Sequence, residues 1–315
     1  MLLRLAITAV ILAILAMGID MGDSARAVAA IDLRFLTLVL GLVAIDRAVM
    51  ILRWLLLLRA SGIAISTRDA ARLFLVSSFV GSFLPSGVGA DAARAYGLTR
   101  GITKSPAPGP ESPQVPASEA LASVAVDRIL GVFSIVIMSM VGVLAWAPAR
   151  EDWRIALAIL GLTIACSAVF WANDWLRWAI PDAHHDHSLA RRVLRLGDAV
   201  GRYRGRSGVL AHVMAWSIAV QLLRISQAYF LGLGLGLTVP FSYYLLFMPL
   251  GLLMLLLPIS ISGFGAPQAG FVWMLRPVGV PDVQSLALST LIILTGLAGN
   301  LPGLWLWLRQ RREIL

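Results

Sequence analysis

Long apolar runs separated by short polar stretches set the rhythm of this chain. Leu33 to Leu58, Ala120 to Trp146, Ile155 to Trp171, Val209 to Leu231 and Val283 to Leu308 are each long enough to cross a bilayer as a helix rising about 1.5 Å per residue. Residues 2 to 19, apolar apart from Arg4 and Thr8, read as a further span. A signal peptide is the alternative, but the flank from Asp20 to Arg26 lacks a small-x-small cleavage pattern. The segments 20 to 30, 147 to 152 and 232 to 240 are then expected as connecting loops.

Two further apolar stretches are interrupted. Ser66 is placed to cap a helix, with Asp69 answering three residues later, and the pattern runs from Ala70 through Phe83 to Leu84-Pro85. After Gly87 and Gly89, Asp91 can start a short second helix to about Leu98. Phe241 to Leu257 stops at Pro258, and a short helix up to Leu275 follows, with Pro267 suited to a first helical position. Non-helical backbone facing lipid costs several kcal/mol per unpaired group, so both breaks must be enclosed by protein or line a wet cavity. The pattern predicts an all-α polytopic membrane protein forming one integral membrane domain over residues 1–315. It has six to eight transmembrane helices, two of its elements being re-entrant helix-break-helix hairpins.

Composition closes off the soluble alternatives. With 59% hydrophobic and 14% charged residues and a mean hydropathy of +0.84, the chain cannot clothe a soluble domain. The net charge of +9 comes from 25 arginines and one lysine against 17 acids, and the arginines flank apolar runs. That placement points to topology and lipid contact, and nucleic acid is not an expected partner. The single cysteine, Cys166, excludes an intramolecular disulfide and offers no redox or metal framework. His184-His-Asp-His187 reads as a solvated loop without a fourth ligand, so no metal or cofactor is expected.

Charge also sets the expected topology. The Pro-rich stretch 101–119 is expected as a mobile loop outside the membrane, and 173–208, with seven arginines against four aspartates, as a basic cytoplasmic loop. Both termini then fall in the cytoplasm. The 66 to 98 hairpin enters from the cytoplasm, and Phe241 to Leu275 either enters from the opposite face as a re-entrant hairpin or crosses twice as two short helices. Opposed hairpins are the product of an inverted repeat, here with halves 31–146 and 209–308, and such repeats place a transport site at their interface.

The candidate chemistry is ionic. Arg94 lies one turn beyond the free amides of Gly87 to Asp91, an arrangement that suits a phosphate. Asp91 opposes an anion there unless it caps the helix or pairs with a cation, and an Asp91–Arg94 pair that merely holds the hairpin is the alternative. Asp127 and Arg128 near a span end read equally as a structural brace that snorkels to the interface. Asp46, Arg47 and Arg53 lie deeper in an apolar run, where charge needs partners or water. Gln221, Arg224 and Gln227 share one helix face and either line a cavity or bond across helices.

Three motifs carry a family resemblance: Leu84-Pro-Ser-Gly-Val-Gly-Ala-Asp-Ala-Ala-Arg94, Asp127-Arg-Ile-Leu-Gly131 and Leu257-Pro-Ile-Ser-Ile-Ser-Gly-Phe-Gly265. In this order and spacing the chain resembles the transmembrane, flippase-type region of lysylphosphatidylglycerol synthetases and its stand-alone relatives. The resemblance implies a multi-pass protein of the cytoplasmic membrane that moves or handles polar lipids, including a branch linked to hopanoids. Two departures stand out. Gly89-Ala90-Asp91 replaces the family's Gly-Gly-Asp, and Pro267-Gln268 stands where the family often carries an arginine and a glutamate. A hydrophilic block of the size of the aminoacyl-transfer domain has no counterpart, so lipid aminoacylation by this chain alone is not expected.

The expected function is flippase-like transport or binding of a polar lipid, with anionic, amino- or hopanoid lipids as partners and lipid-synthesis enzymes as further ones. The expected substrate contacts are Pro85, Ser86, Gly87, Gly89, Asp91 and Arg94 of the first break, together with Asp127, Arg128 and Arg224. Ser260, Ser262, Gly263, Gly265 and Gln268 of the second break complete the set. The rival expectations are a membrane-embedded lipid-modifying enzyme using Asp91 and Asp127 as acid and base, and a noncatalytic scaffold for lipid synthesis. No catalytic motif presents itself.

Overall fold

The structure, a computed structural model, describes residues 17–83, 89–99, 115–148, 201, 203, 205–256 and 265–314. Ten α-helices order these residues: α1 (Met21–Ala29), α2 (Leu33–Ala60), α3 (Thr67–Phe83), α4 (Gly89–Thr99), α5 (Ala117–Ala145), α6 (Ser207–Gly234), α7 (Phe241–Leu256), α8 (Ala266–Leu275), α9 (Asp282–Ala298) and α10 (Leu301–Ile314). No strand occurs among the described residues. Among the described residues, four stretches are long and apolar enough to cross a membrane: α2, α5, α6 and the run Asp282–Arg309 that joins α9 to α10. The chain is thus an all-α multi-pass membrane protein. The expected spans at 2 to 19 and 155 to 171, the 101–119 loop up to residue 114, and nearly all of the 173–208 connection lie outside the described residues.

Local signals account for the helix starts. Asp32 accepts the Arg34 amide at 2.8 Å to cap α2, and Ser66 accepts the Asp69 amide at 3.1 Å while donating to the Asp69 carboxylate at 2.7 Å. Three expectations need correction. The segment 20 to 30 is helical, not a loop: α1 is capped by Asp20, which accepts the Asp23 amide, and it packs on α9. It is too short and polar to register as a span, so a search for spans assigns it to a connection. The helix of the third span starts at Ala117, within the stretch assigned to the Pro-rich loop, with Pro116 at its cap. The last span is interrupted at Gly299–Asn300, where α9 gives way to α10 just before Pro302.

Side-chain seams define how the helices run. On α2 and α6, Asp46 meets Arg224, Arg53 meets Ser217 and Phe35 stacks near Phe230, so the two helices are antiparallel. In the first hairpin Gly81 lies on Ala90 and Gly97 on Leu73. In the second, Gly251 lies on Phe271, and the Tyr243 hydroxyl donates to the Met274 carbonyl. Both hairpins are therefore antiparallel helix pairs. The contacts between elements follow a two-fold exchange in which α2, α3, α4 and α5 correspond to α6, α7, α8 and the α9–α10 run. Thus α5 lies on α7 as α10 lies on α3, and α4 on α5 as α8 on α9. Because corresponding α2 and α6 are antiparallel, this is the contact pattern of an inverted repeat.

The equivalent seams even share a device. Gly142 of α5 sits against the backbone of Leu245 and Leu246, and Gly303 of α10 sits against the carbonyl of Leu75. In lipid, helices associate through close packing because the tails are as apolar as the side chains, and small residues let backbones approach. A methyl group at either glycine would collide with main chain, whereas Gly41 of α2 has open space around it. Gly142→Ala and Gly303→Ala should each cost about 1–3 kcal/mol by overpacking. Gly41→Ala should be neutral or slightly stabilising through helix propensity. Thermal unfolding of the purified variants in detergent checks the contrast.

Candidate functional site

The charges that hydropathy leaves stranded in apolar helices come together at the centre of the inverted repeat. Asp127 of α5 is buried between two arginines: Arg53 of α2 approaches its Oδ1 at 2.8 Å and Arg94 of α4 its Oδ2 at 3.6 Å. Arg53 also donates to Ser217 Oγ at 3.0 Å, and the Arg94 guanidinium lies 4.3 Å from the Phe74 ring centre and 5.1 Å from that of Trp54. These aromatic faces hold the cation where the carboxylate contact alone is long. Deeper along α2, Asp46 accepts from Arg47 and from Arg224 of α6, each at 3.2 Å. A third pair joins Asp91 of α4 to Arg128 of α5.

Arg47, Arg53, Arg94, Arg128 and Arg224 all line one cavity of about 330 Å³, with Ser82, Gln221 and Asn300 among its polar neighbours. Asn300 reaches it because the interruption between α9 and α10 frees its side chain to donate to Ser82 Oγ at 2.8 Å. Among the described residues these five arginines face three aspartates, Asp46, Asp91 and Asp127, leaving an excess of two positive charges. Arg47, Arg53 and Arg94 each keep a buried Nε–H without a hydrogen-bond partner. An unmet buried donor costs about 1–3 kcal/mol, so these three arginines are held at a cost to stability.

Of the expected substrate contacts, Asp91, Arg94, Asp127, Arg128 and Arg224 are brought together here. Gly89 opens α4 immediately beside Ala90, which lines the cavity. Gly265 and Gln268 stand apart. Gly265, at φ 95, precedes α8, and Gln268 accepts its amide at 3.2 Å while donating to Thr290 Oγ1 at 3.0 Å. Gln268 thus ties α8 to α9. Pro85, Ser86, Gly87, Ser260, Ser262 and Gly263 lie outside the described residues. The alternative Asp91–Arg94 pairing is corrected: the two side chains reach different partners on α5, because successive positions of α5 present Asp127 and Arg128. Arg47, Arg53 and Asp46 belong to the site although the sequence does not assign them to it, and mid-span charge was the signal that pointed to them.

Residues 1–303 match the family model described as the lysylphosphatidylglycerol synthase TM region. The chain belongs to this family. No curated protein gives a match. As a member of the lysylphosphatidylglycerol synthase transmembrane-region family, the chain has a function tied to membrane lipid, and the charged cavity is where its helices concentrate polar chemistry.

Removing the shared carboxylate exposes two buried guanidiniums to each other. Asp127→Ala should destabilise the protein by about 3–5 kcal/mol, as breaking buried ion pairs does. Asp282→Asn, which releases only the exposed Arg276 bidentate pair, should leave stability almost unchanged, because solvent screens that pair. Denaturation midpoints in one detergent compare the two.

Proposed function

We propose that the charged cavity holds the phosphate-bearing headgroup of a polar membrane lipid and that the chain moves such lipid between leaflets in a flippase-like manner. The excess of two positive charges around the cavity carries this reading. A phosphate diester supplies anionic acceptor oxygens in the geometry that a guanidinium fork matches, while the tails stay in the bilayer. At about 1.5 Å per residue, α3 and α4 measure roughly 25 and 17 Å, short of a hydrocarbon core of about 30 Å. That length supports a re-entrant hairpin bringing Asp91 and Arg94 from one face toward the middle. The distribution of arginines favours the cytoplasmic face of the inner membrane for it, with both termini on the same side.

The sequence has no nucleotide-binding loop of the G-x-x-x-x-G-K-[ST] type, so the movement we propose is downhill, ion-coupled or driven by a partner. Acid–base chemistry by Asp91 and Asp127 draws no support from their positions, since Arg128 holds the first and Arg53 with Arg94 the second. Purified protein in liposomes should accelerate the crossing of fluorescent phosphatidylglycerol over fluorescent phosphatidylcholine. Arg53→Gln and Arg94→Gln, checked for folding, should each slow it at least tenfold, about 1.4 kcal/mol. Full activity in both variants, or no acceleration of any anionic lipid, sinks the reading.

A further inference from the structure

A second cavity of about 280 Å³ lies beyond the charged one. Its walls are mostly apolar, with Val43, Leu231, Met248, Phe271 and Ile292 among them. Arg47, Arg224, Leu252 and Asn300 line both cavities, so the Asp46–Arg47–Arg224 cluster stands on the boundary. Arg224 and Arg47 also reach the Met50 sulfur at 3.1 and 3.6 Å, and Arg47 donates to the Gly296 carbonyl at 3.1 Å, close to the interruption after α9. Asp46 sits near the midpoint of the 28-residue α2, the deepest point of a span.

Three residues trace a line across this boundary. Gln221, Arg224 and Gln227 share one face of α6: Gln221 lines the charged cavity, Arg224 lines both, and Gln227 lines the apolar one. Gln227 Nε2 is sealed from solvent and has no hydrogen-bond partner, which places an unmet donor on the far side of the cluster. A lipid headgroup leaving the Arg53–Arg94 pair would meet Arg47 and Arg224 next, since these two line both cavities.

We propose that Arg47 and Arg224 form a second phosphate station at mid-span, that Asp46 occupies it at rest as an internal competitor, and that exchange of Asp46 for the headgroup phosphate opens the boundary between the cavities. The proposal rests on the lipid-moving reading above and names its mid-span step. A carboxylate and a phosphodiester offer guanidinium groups the same kind of anionic oxygen, so either satisfies the two arginines. Two arginines on one carboxylate leave one charge spare, so an anion binds before the carboxylate departs. A headgroup without an anion gains nothing from the two-arginine state, and a ligand shifts such an equilibrium only by its preference for one state.

The probe is dioctanoyl phosphatidylglycerol, counted on the purified full-length protein by native mass spectrometry beside crossing rates in liposomes. Wild type should retain one lipid. Asp46→Asn should retain two and cross at least tenfold more slowly, since nothing displaces the anion from mid-span. Asp46→Asn/Arg224→Gln restores the resting excess of one charge and provides a second test should the single variant fail to fold. It should retain one lipid and lose the gate, so that phosphatidylcholine crosses within about threefold of phosphatidylglycerol. If folded Asp46→Asn retains one lipid and crosses at the wild-type rate, or the double variant keeps the wild-type preference, the proposal is overturned. If wild type neither retains nor moves an anionic lipid, the failure belongs to the lipid-moving reading beneath it.

Discussion

One carboxylate shared by two guanidiniums, an arrangement that occurs twice, is the constraint on which this protein's interior depends. A unit charge pair about 4 Å apart gains about 4 kcal/mol at an effective dielectric near 20, while each buried ion loses several kcal/mol of hydration. Asp127 therefore compensates one arginine well and two poorly, and the same holds for Asp46. Serine, methionine and aromatic faces take up part of the deficit around Arg53, Arg94 and Arg224. What remains is a standing positive potential in a hole within the membrane, which a fold adopted only for stability would do better to fill with apolar side chains.

The inverted repeat explains why this charge gathers at one place. Antiparallel α2 and α6 form the central seam, and the two hairpins reach it on either side of the seams that Gly142 and Gly303 hold tight. Interruptions bring polar groups to the same point: α3 and α4 carry Ser82 and Asp91 near their facing ends, and the break after α9 presents Asn300.

Much of this is legible in the sequence because lipid is an unforgiving solvent. Apolar runs give α2, α5, α6 and α7 to within a few residues, the Ser66–Asp69 box gives the start of α3, and matched Pro and Gly breaks give both hairpins. Asp91, Arg94, Asp127, Arg128 and Arg224 are legible because charge in such a background is rarely idle. The pairings are not. Hydropathy fixes which residues enter the membrane but not the rotation of one helix against another, so Asp91 with Arg128, and Arg94 with Asp127, emerge only when α4 is laid on α5. Short-range signals likewise conceal α1 and the interruption at Gly299–Asn300, each too local to alter a span-length pattern.

The two halves are equal in pairing but not in charge. Asp91 and Arg94 of α4 face the cavity, whereas α8 presents Phe271 to its apolar neighbour and spends Gln268 on the Gly265 amide and Thr290. A charged pair in place of Pro267 and Gln268 would bring ions to the second half; an amide closes the helix start without them. The charged side chains of the cavities thus come from the first hairpin, from α5 and from the seam between α2 and α6. The second hairpin contributes shape: Met248, Leu252 and Phe271 wall a space whose polar edge is the Asp46–Arg47–Arg224 cluster. On the proposed lipid-moving function, that asymmetry makes the two directions across the membrane chemically unequal, since a headgroup anion would meet arginines from one side and apolar walls from the other.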